Sequence, residues 1–241
     1  MEQALIVDSL KKSYGKFEAL HGISFEVAPG EIFALIGPNG AGKTTALRIV
    51  ATILQPTSGT AHVYGMDVQK DAARIREIIS YLPEEAGAYK NLTGFGYLSF
   101  MAELFASDAA IQREYIQRAS DITGLGERLR DKIGTYSKGM TRKLLLSRVV
   151  MTHPKLAVID EPTSGLDVVA AIDIRESIRR TATEGMAVLL SSHNMLEIEY
   201  LSDRVAIIDK GTIHDVGTPR GLKDKYGKAN LEEVFVQVVR Q

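Results

Sequence analysis

One stretch of the sequence combines glycines, a lysine and two threonines in an arrangement that suits phosphate binding. Residues 37–45 read Gly-Pro-Asn-Gly-Ala-Gly-Lys-Thr-Thr, which matches the phosphate-loop pattern of two glycines five residues apart followed by Lys and Ser or Thr. Gly37, Gly40 and Gly42 permit a positive φ and a close approach of the backbone to a ligand. Successive backbone N–H groups then point into one concavity that favours an anion. The stretch therefore predicts a nucleotide-binding site.

The side chains of this loop have separate expected roles. Lys43 is long enough to reach β- and γ-phosphates, Thr44 can place its hydroxyl on Mg²⁺, and Thr45 can bond an α-phosphate. A buried apolar strand before the loop and a helix after it complete the expected context, and the helix adds the positive end of its dipole. The predicted nucleotide-binding residues of the loop are Gly37, Pro38, Asn39, Gly40, Ala41, Gly42, Lys43, Thr44 and Thr45.

A second candidate site is a pair of carboxylates that follows an apolar run. Residues 156–159 read Leu-Ala-Val-Ile and precede Asp160 and Glu161. Because open α/β sheets bind ligands at the carboxyl ends of their strands, we expect Asp160 to hold Mg²⁺. We expect Glu161 to point the other way on an extended strand and to polarise water for attack on a γ-phosphate, as a general base. The alternative is a strand followed by an acidic, solvated loop.

These residues need a framework, and the hydrophobic pattern predicts alternating strands and helices. Short apolar or alternating runs predict strands at 23–27, Ile32–Ile36, 60–64, Ile79–Leu82, 156–159, 186–190, 205–208 and 212–216. Helical patterns lie at 43–54, Gly94–Phe105, 108–123, 125–130, 140–150, Val168–Thr183, 222–226 and Leu231–Val239. Ser107 is the predicted N-cap of the helix at 108–123. This alternation predicts a mainly parallel sheet with helices on both faces.

The alternation stops between residues 86 and 135, where no strand is predicted. We expect residues 86–135 to form a helical subdomain inserted into an α/β core made of residues 1–85 and 136–217. The alternative is a long run of helices within the same core. Residues 218–241 are expected to form a small helical tail.

Composition excludes several classes of protein. The chain has 241 residues, with 29 Lys and Arg against 30 Asp and Glu, a net charge of −1 and no Cys. The absence of Cys excludes a disulfide framework, a thiol nucleophile and thiolate metal sites. The near-zero charge argues against coating nucleic acid through bulk positive charge, and we expect no nucleic-acid partner. No run of about 18 apolar residues predicts a membrane span, and the acidic start Met1-Glu2-Gln3 lacks the basic region of a signal peptide. We therefore expect a cytoplasmic protein.

With these residues in view, the chain resembles the ATP-binding subunit of an ABC transporter over nearly all of residues 1–217. The matching segments occur in the family's order. They are Tyr14 (an adenine-stacking aromatic), residues 37–45 (Walker A), Tyr136-Ser137-Lys138-Gly139-Met140 (the signature, usually LSGGQ), Ile159-Asp160-Glu161-Pro162 (Walker B), Ser164-Gly165-Leu166-Asp167 (the D-loop) and His193 (the switch histidine). The resemblance implies an α/β fold: a P-loop NTPase core with a mainly parallel sheet, an antiparallel β subdomain near the N-terminus and an inserted α-helical subdomain.

Two departures from the family pattern involve charge. Glu84 stands where the family's Q-loop usually carries Gln, and the resemblance makes it a candidate Mg²⁺ or water ligand, although a carboxylate accepts hydrogen bonds without donating them. The signature has Lys138 and Met140 where Gly and Gln are common, but it keeps Ser137 and Gly139. These variant loops resemble ATPases of the ABC-2-type export group.

The resemblance also implies a mechanism and partners. Two copies, or one copy and a paralogous ATPase, would bind two MgATP molecules head to tail, with Ser137 and Gly139 of one chain facing the γ-phosphate held by the other. Asp167 would lie at the dimer contact, Glu161 would act as base, and His193 would bond the γ-phosphate or the attacking water. The dimer would drive a transmembrane permease in a separate chain, at the cytoplasmic face of the membrane.

The helical segment offers a candidate contact with that permease. It contains the apolar residues Phe95, Tyr97, Leu98 and Phe100, and core packing is the alternative for each of them. Three other functions are weighed against transport: an ABC ATPase of translation or DNA repair, a GTPase switch and an inactive scaffold. A guanine-reading Asn-Lys-x-Asp motif is absent from the sequence, which argues against the GTPase.

Overall fold

A computed structural model describes residues 3–240 of the chain. Met1 and Glu2, which begin the N-terminal stretch considered above, lie outside the described residues, as does Gln241. Across the described residues, no helix has both the length and the apolar character that crossing a membrane requires.

Ten strands form two sheets within residues 3–240. They are β1 (Leu5–Tyr14), β2 (Phe17–Val27), β3 (Ile32–Ile36), β4 (Ser58–Val63), β5 (Met66–Asp67), β6 (Ile79–Leu82), β7 (Leu156–Asp160), β8 (Ala187–Ser192), β9 (Arg204–Asp209) and β10 (Thr212–Gly217). The larger sheet has the strand order β10-β9-β3-β8-β7-β6, and the smaller has the order β2-β1-β4-β5.

The larger sheet confirms the predicted parallel α/β core. β3 lies between β8 and β9 and pairs in parallel with both, and β7 pairs in parallel with β6 and β8. Along β3, Ala34 and Ile36 face one hydrophobic cluster while Phe33 and Leu35 face another, so both sides of this strand are buried. Because the carboxyl ends of these strands share one edge, the segments that follow β3, β7 and β8 meet there.

The smaller sheet confirms the antiparallel β subdomain near the N-terminus. β1 pairs antiparallel with both β2 and β4. The hydrophobic pattern did not predict β1 or the first half of β2. One reason is that the alternation in β1 breaks between Val7 and Leu10, where the pairing register shifts and Ser9 has a φ of 50°. β1 ends at Tyr14, which pairs across a tight hairpin with Phe17.

Nine α-helices accompany the sheets within residues 3–240. They are α1 (Lys43–Val50), α2 (Ala72–Ile78), α3 (Gly94–Phe105), α4 (Ala109–Thr123), α5 (Lys138–Val150), α6 (Val168–Thr183), α7 (Met195–Leu201), α8 (Pro219–Tyr226) and α9 (Leu231–Val239). α2 and α7 are short helices that the pattern did not predict. α1 ends four residues earlier than predicted, and Thr52 just beyond it has a φ of 60°.

Helix ends are set by caps that the sequence predicted only in part. The predicted N-cap at Ser107 is wrong, because Asp108 caps α4 by accepting bonds from the backbone N–H groups of Ala110 and Ile111. α8 begins three residues earlier than predicted, since Thr218 is its N-cap and Pro219 occupies the first turn.

The segment between β6 and α5 contains α3, α4 and two short 3₁₀ helices, Gly126–Arg130 and Ile133–Thr135. Leu98 on α3 and Ala119 on α4 belong to the same hydrophobic cluster as residues of the larger sheet. Tyr97 and Leu98 are buried in that core, whereas Phe95 and Phe100 are exposed. The division of the chain into core, helical subdomain and tail stays a prediction.

Candidate functional site

The phosphate-type loop lies between β3 and α1, at the edge where the parallel strands end. Gly40 and Gly42 have φ values of 82° and 102°, as expected, but Gly37 does not have a positive φ. Gly37 is required for space instead, because a Cβ there would lie 2.0 Å from the backbone carbonyl oxygen of Ile208. Gly42 is the left-handed N-cap of α1, so the helix begins directly at the loop.

Lys43 is buried at the first position of α1. Its Nζ donates to the carbonyl oxygens of Gly37 at 2.7 Å and Pro38 at 3.1 Å, within its own loop. The same Nζ lies 3.4 Å from Oε1 of Glu161. The lysine charge is therefore held inside the loop and beside a carboxylate, in the place where an anionic ligand would bind.

Asp160 is the last residue of β7, Glu161 follows it, and both are buried. Oδ1 of Asp160 accepts a hydrogen bond of 2.5 Å from the hydroxyl of Ser191 on β8. Glu161 has a φ of 46°, so the expectation that it continues an extended strand is wrong. A left-handed turn, not strand alternation, separates the direction of its side chain from that of Asp160.

The turn places the Glu161 carboxylate between two other predicted site residues. Oε1 faces Lys43, and Oε2 lies 2.8 Å from Nδ1 of His193. The backbone N–H of His193 donates to the same Oε2 at 3.3 Å. Because a carboxylate only accepts hydrogen bonds, Nδ1 of His193 carries the proton in this contact. The His193 side chain is 47% exposed, so its ring also reaches the solvent side of the site.

A cavity of about 230 Å³ brings most of the predicted nucleotide residues together. Its lining comprises Tyr14, Phe17, Ala19, Asn39, Gly40, Ala41, Gly42, Lys43, Thr44, Thr45, Glu84 and Glu161. A wider groove of about 700 Å³ runs along α9 but contains none of the predicted site residues. The smaller cavity is the chemically relevant one, because it combines the loop, an aromatic and two carboxylates.

Two aromatic residues, Tyr14 and Phe17, line the cavity. Tyr14 and Phe17 lie on opposite strands of the β1–β2 hairpin, and their side chains are 47% and 65% exposed. The ammonium of Lys12 lies 5.2 Å from the centroid of the Tyr14 ring. Phe17 was not predicted as a site residue. The hairpin signal at Gly15 and Lys16 is sufficient to find it, since it puts the residues on either side of the turn next to each other.

The predicted Mg²⁺ ligands are Thr44, Glu84 and Asp160. Thr44 and Glu84 line the cavity, and Oε1 of Glu84 accepts a hydrogen bond of 3.0 Å from Ser164. Across residues 3–240, no group of three or more His, Cys, Asp or Glu side chains could hold a metal ion by itself. Mg²⁺ usually takes one or two carboxylates together with substrate phosphates and water, so these donor types fit it. Asp160, whose Oδ1 accepts from Ser191, is not among the residues that line the cavity.

The signature-like residues lie apart from this cavity. Ser137 is the N-cap of α5 and accepts a hydrogen bond of 3.2 Å from the backbone N–H of Met140. Gly139 packs closely on α6, because a Cβ there would lie 2.8 Å from Cβ of Ala170. Asp167 caps α6 by accepting from the N–H of Ala170 at 3.0 Å. One chain therefore does not bring Ser137, Gly139 or Asp167 to its own phosphate loop.

One buried cation near the site was not predicted. Arg142 on α5 donates to the main-chain oxygens of the carboxylate pair, of Pro162 after it, and of Glu84. It lies five residues after Ser137, and no motif at that position identifies it as a site residue.

The family model and the sequence relatives that match this chain agree on one family. The model of the ABC transporter family matches residues 20–164 of this chain. The linearmycin resistance ATP-binding protein LnrL of Bacillus subtilis is 33% identical over 237 residues, which cover 98% of this chain and 76% of LnrL. The daunorubicin/doxorubicin resistance ATP-binding protein DrrA of Streptomyces peucetius is 35% identical over 225 residues, which cover 93% of this chain and 68% of DrrA.

Solved structures agree with these sequence relatives. An ATP-binding subunit of an ABC transporter matches with a TM-score of 0.85 and 29% identity, covering 98% of this chain and 99% of the other. The cbiO1 protein of Clostridium perfringens, described as part of the ABC transporter complex cbiONQ, matches with a TM-score of 0.85 over 100% of this chain and 97% of its own. At 23% identity, the second likeness shows the fold alone.

Proposed function

The chain belongs to the ABC transporter family as an ATP-binding subunit with ATPase activity, and we propose that it drives a separate membrane permease. In this proposal two copies, or one copy and a paralogous ATPase, bind two MgATP molecules head to tail. The single observation that carries the proposal is the convergence of Tyr14, the loop at 37–45 and Glu161 on one cavity, with His193 against the same carboxylate.

The proposed nucleotide contacts follow the positions of the side chains. Tyr14 stacks on the adenine ring, and the N–H groups of residues 37–45 hold the phosphates. Lys43 leaves its loop carbonyls and Glu161 to bond the β- and γ-phosphates. Thr45 bonds the α-phosphate. Glu84 lines the same cavity as the loop, and in this proposal its carboxylate faces the phosphates through a metal ion or water.

Hydrolysis in this proposal is a direct attack by water on the γ-phosphorus. Thr44, Asp160 and Glu84 would hold Mg²⁺, which neutralises phosphate charge when bound. Glu161 takes the proton of the attacking water as the new bond to phosphorus forms and the bond to the β–γ bridging oxygen breaks. His193, fixed by Glu161 through Nδ1, presents its Nε2 side to the γ-phosphate or the water. ADP and inorganic phosphate then leave.

Dimerisation is proposed because part of the expected ATP site is missing from one chain. Ser137 and Gly139 lie at the N-terminus of α5, outside the cavity, where backbone N–H groups favour an anion. In a head-to-tail dimer they would face the γ-phosphate held by the second copy, and Asp167 would lie at the contact. Exposed Val168 and Val169 beside Asp167 supply apolar area for such a contact.

We propose that the permease docks on the helical segment at residues 86–135. Tyr97 and Leu98 are excluded from that contact by their burial in the core. A group of apolar side chains remains exposed on and before α3: Tyr89, Phe95, Phe100, Leu104 and Phe105. An apolar group of this kind suits a protein partner. This docking would place the ATPase at the cytoplasmic face of the membrane, with residues 86–135 as a separate subdomain.

Export is the direction we propose, because the relatives LnrL and DrrA are named as drug resistance proteins. The alternative, a non-transport ABC ATPase of translation or DNA repair, is not favoured by these relatives. No nucleic-acid partner is proposed.

The proposal is tested by nucleotide binding and hydrolysis. Lys43→Ala should weaken the affinity for a fluorescent ATP analogue by about tenfold or more, because it removes a charge-assisted bond to phosphate. Lys70→Ala is the control, since Lys70 is exposed and does not line the cavity. Undiminished affinity in Lys43→Ala would count against the phosphate-loop assignment. Co-purification of the tagged chain with a membrane permease tests the transport role.

A further inference from the structure

The guanidinium of Arg142 is buried among main-chain oxygens next to the carboxylate pair. Arg142 is 7% exposed. Its Nη2 donates to the carbonyl oxygens of Asp160 at 2.8 Å and Glu161 at 2.9 Å, and its Nε donates to that of Pro162 at 2.9 Å. Three consecutive carbonyls, from the last residue of β7 into the turn that follows it, are therefore bonded by one side chain on α5.

The remaining nitrogen of Arg142 bonds a second turn. Nη1 donates to the carbonyl oxygens of Pro83 at 3.1 Å and Glu84 at 3.2 Å, just after β6. An arginine has five N–H donors in a rigid plane, and here five carbonyl oxygens accept from them. A lysine has three donors on a flexible stem and cannot bond both turns in the same way.

The charge of Arg142 also fits its surroundings. Burial lowers the pKa of the guanidinium, and the negative charges of Asp160, Glu84 and Glu161 oppose that shift. Arg142 nevertheless bonds only main-chain oxygens of these segments and none of the oxygens of the three carboxylates. It supplies a compensating positive charge to a cluster of acidic groups without occupying the oxygens that the reaction needs.

The backbone at Glu161 is the feature most in need of such support. A glutamate with a φ of 46° lies in the left-handed region, which non-glycine residues keep only when their surroundings hold them there. The carbonyl of Glu161 itself and those of both neighbouring residues accept from Arg142. The same turn aims the Glu161 carboxylate at Lys43 and His193.

We propose that Arg142 is a positioning residue for ATP hydrolysis, which holds the turns at Glu84 and Glu161 together so that both carboxylates face the nucleotide. This inference rests on the proposed function, because it assigns Arg142 a role in the same site. Arg142 does not line the nucleotide cavity. Its loss should therefore affect the chemical step more than nucleotide binding.

Three substitutions and one control separate this role from a purely structural one. Arg142→Met fills the space without donors, Arg142→Gln keeps two donors without charge, and Arg142→Lys keeps charge and three donors. Lys143→Met is the control, because Lys143 is the next residue on α5 but pairs with Asp173 at 2.6 Å. For each protein we would measure kcat, KM for ATP, the number and affinity of fluorescent ADP sites, and the thermal midpoint.

We expect kcat per ADP-binding site to fall by about 10- to 100-fold in Arg142→Met, as misplaced catalytic groups usually cause. KM and the ADP affinity should stay within about threefold of wild type, and Arg142→Lys should recover part of kcat. Lys143→Met should keep the wild-type kcat. If Arg142→Met does not fold, the Gln and Lys variants are judged by the same criteria.

Several results would overturn the inference. One is a wild-type kcat per ADP site in a folded Arg142 variant. Another is a loss of activity that is fully explained by a smaller number of ADP-binding sites, which would indicate a role in folding alone. If the wild-type chain neither binds nor hydrolyses ATP, the proposed function fails and the role of Arg142 fails with it. If the wild type is active and all Arg142 variants match it, the positioning role alone is refuted.

Discussion

Replacing Glu161 by Gln tests whether its carboxylate takes the proton of the attacking water. The substitution preserves the size of a side chain that is only 6% exposed, so the cavity should keep its shape. In the wild type, one carboxylate oxygen faces Nζ of Lys43 at 3.4 Å and the other faces Nδ1 of His193 at 2.8 Å. An amide has one oxygen for these two donors, so either rotamer turns its NH₂ group toward a donor.

The expected loss of activity follows from the role. A positioned general base contributes about 10²- to 10⁴-fold to a rate, which corresponds to about 3–5 kcal/mol in activation free energy. Nucleotide binding should behave differently. The carboxylate competes with phosphate for Lys43, so its neutralisation should leave the affinity for ATP unchanged or tighter.

The assay measures phosphate release at saturating ATP together with the dissociation constant of a fluorescent ATP analogue. Glu31→Gln is the matched control. Glu31 is a buried carboxylate directly before β3, at the amino ends of the parallel strands, and it contacts the backbone N–H of Ala28 and the guanidinium of Arg204. The control should retain wild-type turnover per folded molecule. A Glu161→Gln variant that hydrolyses ATP at near the wild-type rate would refute the assignment of Glu161 as base.

Two further predictions address the loop and the tail. Gly37→Ala should weaken nucleotide binding and lower the thermal midpoint, because its Cβ would lie 2.0 Å from the carbonyl oxygen of Ile208. The control Gly87→Ala should be neutral, because its Cβ would meet open space. Equal effects of the two substitutions would contradict the steric reason. Burial raises the pKa of Asp215, but hydrogen bonds from Lys225, Tyr226 and the Val216 N–H outweigh it and lower the pKa overall. Ionised Asp215 should therefore stabilise the fold above its unfolded pKa of about 3.9 and lose that effect as pH falls through its lower folded pKa. Urea unfolding of Asp215→Asn should accordingly show reduced stability at pH 6 and a difference from wild type that shrinks toward pH 3; a constant difference would contradict this.

The nucleotide loop was predictable because its chemistry is encoded in consecutive residues. The types and spacing of Gly40, Gly42 and Lys43 fix both the backbone geometry and the ligand class. The positive φ predicted for Gly37 is wrong, and its need for space comes from Ile208, which is distant in sequence. A local pattern cannot reveal which backbone will pack against a given glycine.

The role of Arg142 and the turn at Glu161 could not be predicted from local sequence, because they also depend on contacts that are distant in sequence. The five oxygens that accept from Arg142 belong to two segments that lie as many as 59 residues from Arg142 in sequence. Likewise, strand alternation predicted an extended Glu161, but the tertiary contacts of Arg142 and Ser191 hold its backbone in a left-handed turn. Burial of the central strands was predictable, because β3, β7 and β8 are apolar along nearly their whole length.

The two charged departures from the family pattern are best understood together. Glu84 and Lys138 line one cavity with Ser164. Glu84 accepts a hydrogen bond from Ser164. Nζ of Lys138 lies 2.1 Å from the position that a Cβ on Gly165 would take. The extra negative charge and the extra positive charge thus flank the same two residues of the D-loop. Because the two opposite charges border one cavity, a substitution at one position should be interpreted with the charge at the other.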